Sequence, residues 1–165
     1  MVLILECMII CFILLVPCVV AIANGIHNAA FLFERDVQDR VVEMGLVTRE
    51  HLDRNKKGFK YTTLLIMVAF VIWAVYGING ARGFWAPFWQ IYALVMAEGL
   101  FDRFFIDWYW VGHTKAWTIP GTEDLKPYIP KKTLIVKWVT VIVGNPVIAA
   151  AIAGIMFLFL GGRNV

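Results

Sequence analysis

Long apolar runs separated by short polar stretches set the pattern of this chain. Apolar residues dominate from Met1 to about Phe33, from Tyr61 to Gly80, from Phe84 to about Val111 and from Leu134 to Leu160. Each run is near or above the roughly 20 residues that an α-helix needs to cross a bilayer. The pattern predicts an all-α integral membrane protein, a four-transmembrane-helix bundle read as one membrane domain over residues 1–165. The crossings fall at about 2–30, 61–80, 86–111 and 134–160.

Between the first two crossings, Phe33, Val37, Val41 and Met44 recur at helical spacing amid charges of both signs. That spacing predicts an amphipathic helix at the membrane surface. Gly45 is placed to end it, and Thr48 to cap a second short helix through Leu52. Residues 31–60 are therefore expected to form an amphipathic cytoplasmic helical hairpin, with Asn55-Lys56-Lys57-Gly58 as a turn into the second crossing. Residues 112–132 make the other long connection. They are rich in Trp, Ile and Pro, and are expected to pack under the mouth of the bundle rather than run free.

Composition agrees with the membrane reading. Apolar residues make up 61% of the chain, against about 45–50% in soluble domains. The net charge of +3 is too small to point to nucleic acid. Its distribution is more informative. Arg35, Arg40, Arg49, Arg54, Lys56, Lys57 and Lys60 lie between the first two runs, and Lys115, Lys126, Lys131 and Lys132 between the last two. Arg82 and Arg163 stand alone in the other two polar segments. Basic residues mark the cytoplasmic side, which predicts both termini outside and both long loops in the cytoplasm. The first run has no basic n-region and is too long for a signal peptide, so it reads as a retained helix kinked at Pro17. Glu6, near its outer end, is expected to be solvated. Cys7, Cys11 and Cys18 share a helix face and read as small packing residues.

The third run carries the candidate chemistry. With about 100° per residue, Glu98, Asp102, Tyr109 and His113 fall within an arc of roughly 60°. Arg103 and Asp107, four apart on a different face, read as a structural ion pair. Ionisable groups at membrane depth seldom face lipid. Asn24, His27 and Asn28 on the first helix and Asn145 on the fourth belong to the same depth. Convergence of these groups would make a cytoplasm-facing pocket for a small or amphipathic ligand. Glu98, Asp102 and His113 would supply acid/base chemistry, and Asn24, His27, Asn28, Tyr109 and Asn145 would orient the ligand. Alternatively, the polar groups satisfy one another and tie the helices together. A metal held by Glu98, Asp102 and a histidine is a third arrangement, but the histidines lack ligand-like spacing and no metal or cofactor is assigned.

The preferred reading is thus a ligand-binding membrane protein, one version being an enzyme acting on a lipid-like substrate. A non-catalytic subunit of a larger membrane complex, or a proton- or cation-coupled transporter acting as a homo-oligomer, are the rivals. The bilayer is the expected partner throughout. Phosphate-binding loop, dinucleotide-binding, nucleophile-elbow, zinc-protease and lipidation motifs are absent from the sequence.

Overall fold

A computed structural model describes residues 1–160, and among these the chain is helical with no strand. Helix α1 is Val2–Ala23. A 3-10 segment (Ile26–Leu32) leads to the short α2 (Arg35–Glu43). Helix α3 runs Arg49–Ile78. Helix α4 (Trp85–Phe101) continues in wider, π-type turns through Asp102–Val111. Helix α5 runs Lys131–Leu160. Three of these, α1, α3 and α5, are long and apolar enough to cross a membrane. Helix α4 is not among them, because it carries Gln90, Glu98, Asp102, Arg103 and Asp107. It is nevertheless the central element, packing against α1, α3 and α5. Arg163 lies outside the described residues.

The first helix is shorter than expected. It stops at Ala23 because Gly25 takes a left-handed conformation (φ +99°), open to glycine at little cost. Asn28 Nδ2 then donates to the Asn24 carbonyl at 2.7 Å, occupying an acceptor left free at the helix end. Pro17 sits inside α1 without ending it.

The turn expected at Asn55–Gly58 does not exist. Helix α3 begins at Arg49, where the Thr48 hydroxyl accepts from the His51 amide at 3.3 Å, and passes straight through Gly58. A single helical glycine costs about 1 kcal/mol. That cost is outweighed by Leu52, Thr63 and Val71, which are buried along one side of α3.

Helix α2 departs from the surface-helix expectation too. Phe33, Val37 and Val41 are buried within the protein, in one apolar cluster with Val47, Leu52, Trp117, Ile119 and Tyr128. What covers the helix is the 112–132 connection. Arg40 pairs with Asp124 at 3.1 Å and donates to the Gly121 carbonyl at 3.3 Å, and the Phe33 and Tyr128 rings lie 4.8 Å apart. Met44, the fourth residue of the stripe, is exposed.

A second apolar cluster joins Ile10, Val71, Val75, Ile91, Leu94, Ala149 and Ala153, from α1, α3, α4 and α5. Glu6, expected in water, is buried there at 3% exposure. Asn79 Nδ2 donates to Glu6 Oε2 at 2.9 Å and to Gln90 Oε1 at 3.0 Å, so α1, α3 and α4 meet through polar groups.

Candidate functional site

One close approach fixes the site. Gly99 on α4 faces Asn145 and Val141 on α5 so tightly that a Cβ would lie 3.0 Å from Asn145 Nδ2 and from Val141 Cγ2. The Asn145 amide donates to the Val95 carbonyl at 2.8 Å. Helices α4 and α5 run in opposite directions. Asp107, eight residues beyond Gly99, therefore comes opposite Lys137, eight residues before Asn145; either step is about 12 Å of ordinary helix rise.

Lys137 Nζ donates to both carboxylate oxygens of Asp107, at 3.0 Å each. Arg103 pairs with Asp107 and with Asp102. Two acids and two bases thus form one compensated chain. Both Arg103 and Asp107 are buried. In a low-dielectric layer such groups are tolerable only when paired in this way.

The wide turns of residues 102–111 explain why both aspartates take part. On an α-helix, residues five apart diverge by about 140°. In i→i+5 winding each turn holds more residues, and residues five apart return towards one face. Asp102 and Asp107 consequently line the same small cavity, which the α-helical reading had split between two faces. It holds about 150 Å³ and is walled by Cys18, Phe33, Ile106, Trp117, Ile129 and Lys137. A larger groove of about 440 Å³ adjoins it, sharing Asp107, Val111 and Ile129 and extending to His113, Lys126 and Tyr128.

The other sequence-derived candidates are dispersed. Glu98 is half-buried and, among the described residues, has no ion-pair partner; it does not line the cavity. Tyr109 is exposed. His113 is exposed in the outer groove, with Nδ1 2.6 Å from the Trp108 carbonyl oxygen. Asn24 and Asn28 line a separate groove against α3. His27 is half-buried with its ring against Gly25. Asn145 is engaged in helix packing. A single pocket formed by all of them is therefore not what the fold makes. Among the described residues no three His, Cys, Asp or Glu side chains converge as a metal would require.

Lys137 is the participant that sequence reasoning missed. The available signal was a lone lysine inside the fourth apolar run, which needs an acid at its own depth. No protein-family model, curated protein or solved structure matches the chain.

Proposed function

We propose that the protein is a four-crossing membrane bundle with both termini outside, α4 making the third crossing in the shelter of α1, α3 and α5. Its working site is the cavity beside Asp102, Asp107 and Lys137, reached from the cytoplasmic side through the groove at His113. The occupant is a small amphipathic molecule. Its polar end meets the Asp107–Lys137 pair, and its apolar part lies against Phe33, Ile106 and Trp117. A cavity of about 150 Å³ takes a group about the size of a benzene ring. Asp102, with about a quarter of its side chain exposed, is the carboxylate best placed to exchange a proton with a bound ligand.

The observation that carries this reading is the combination of buried charge and empty space at one place. Charges needed only for packing would be enclosed by other atoms. The test is thermal stabilisation of the purified chain in detergent by a series of short-chain amines and carboxylates. A member of the series should raise the melting temperature of the wild type but not of Asp102→Asn or of Ile106→Trp, which fills the cavity. Absence of any stabilising member, or equal stabilisation of all three proteins, counts against the site.

A second reading has its own support. The four charges compensate one another completely, as a structural lock would, which favours a non-catalytic subunit of a larger membrane complex. That role predicts a stoichiometric partner on purification in mild detergent.

A further inference from the structure

The cations of the connection between α1 and α3 divide into two groups. Arg35, Arg40 and Arg49 each pair with an aspartate. Arg54, Lys56, Lys57 and Lys60, on the first turns of α3, have no carboxylate within ion-pair distance among the described residues. Among the described residues the hydrogen-bond contact of the Arg54 side chain is with His51 Nδ1, at 3.0 Å.

Arg54 also lines a groove of about 460 Å³ between α1 and α3. Chemistry changes along that groove. At one end stand Arg54, Asn55, Asn24 and Asn28; at the other, Pro17 and Thr63, with Phe59 in the wall. From Arg54 to Thr63 is about 14 Å along the helix. Gly58 stands midway. A Cβ there would meet nothing within 4 Å, so the glycine leaves the wall open. A cationic and amide-lined mouth running into a trough walled mainly by Pro17, Val20, Ala21 and Phe59, with Thr62 and Thr63 beside them, has the polarity profile of one lipid molecule entering a leaflet.

We propose that this groove binds an anionic phospholipid of the surrounding bilayer. The phosphate sits at Arg54 with Lys57 nearby, and an acyl chain passes Gly58 towards Pro17. Asn24 and Asn28 offer amide groups to the glycerol region. The proposal rests on the membrane-spanning reading above but not on the cavity at Asp102. Charge complementarity selects the occupant, since cations at a membrane surface attract acidic lipids at about 1 kcal/mol each.

The test uses the full chain in dodecylmaltoside micelles doped with equal phosphatidylglycerol and phosphatidylcholine, read by native mass spectrometry. Wild type should retain phosphatidylglycerol at least fivefold over phosphatidylcholine. Arg54→Gln should lose that preference, and Gly58→Leu should lose most bound lipid of either kind while its circular dichroism stays unchanged. Asp102→Asn should behave as wild type, which separates this groove from the other cavity. Equal retention of the two lipids overturns the proposal, as does undiminished binding by Gly58→Leu. Loss in Asp102→Asn would move the lipid elsewhere and overturns it too. Displacement of the lipid by millimolar inorganic phosphate would make the groove a site for free anions rather than for lipid.

Discussion

Lys137 straddles the carboxylate of Asp107, its Nζ 3.0 Å from each oxygen, and Arg103 approaches the same carboxylate from within α4. Asp107 therefore serves two cations, whereas Lys137 serves one anion. Truncating Asp107 to Ala leaves Lys137 without its carboxylate, since Arg103 keeps only Asp102, and should cost about 3–5 kcal/mol. Lys137→Met should cost less, because Arg103 still contacts Asp107 and the one carboxylate charge in excess can rest on Asp102, a quarter of whose side chain is exposed. The double change Asp107→Leu/Lys137→Leu should recover most of the loss, since Arg103 keeps Asp102. Thermal unfolding of the variants in detergent gives the order, and a Lys137→Met protein less stable than Asp107→Ala would contradict it.

The contact at Gly99 makes a steric prediction. Gly99→Leu should prevent α4 and α5 from closing, because its Cβ alone would press on Asn145 and Val141 at about the limit of contact. Asn145→Ala removes the hydrogen bond to Val95 but adds no bulk at the Gly99 contact. It should cost about 1 kcal/mol, the scale of interhelical hydrogen bonds in membranes. Melting temperatures compare the two, and a well-folded Gly99→Leu protein would rule out this account of the α4–α5 interface.

Outside the spans, Tyr128 organises the 112–132 connection. Its hydroxyl accepts from the Ile119 amide at 3.2 Å and lies 2.7 Å from the buried Thr122 hydroxyl. Tyr128→Phe strands the Ile119 amide and should cost about 1–3 kcal/mol. Faster amide exchange at Ile119, with little change at the centre of α4, is the expected signature. Unaltered protection there would show that the phenol hydroxyl is dispensable.

The proposed orientation can be read in whole cells. With Cys7, Cys11 and Cys18 replaced by Ala, a cysteine introduced by Lys56→Cys should resist a membrane-impermeant thiol reagent until the cells are opened. Labelling in intact cells would reverse the inside and outside assignments.

Legibility in the sequence followed range. Apolar runs announce the long helices because length and composition are local properties, and the four-residue spacing of Arg103 and Asp107 is local as well. Helix α3 was harder to read. Gly58 and two lysines resemble a turn, and what makes a helix there worthwhile is burial with distant residues, as of Leu52 in one cluster with Trp117 and Ile119, more than sixty residues away. The same holds for α2, whose apolar face meets a distant connection instead of lipid. Local phase failed at Asp102, because winding through residues 102–111 departs from 100° per residue. Lys137 escaped notice because its meaning depends on an antiparallel neighbour, set by the Gly99–Asn145 contact.

Each wide turn of residues 102–111 takes up one residue more than an α-turn does over nearly the same height. Losing one residue from this stretch would let one wide turn tighten to an α-turn, which absorbs the deletion and leaves Asp107 on the face it shares with Asp102. A single-codon deletion at Phe104 is therefore one that the winding itself can take up, whereas the same deletion in the regular turns of Trp85–Phe101 would rotate everything beyond it by about 100°. A side-chain replacement at the same exposed residue leaves the register of Asp107 alone.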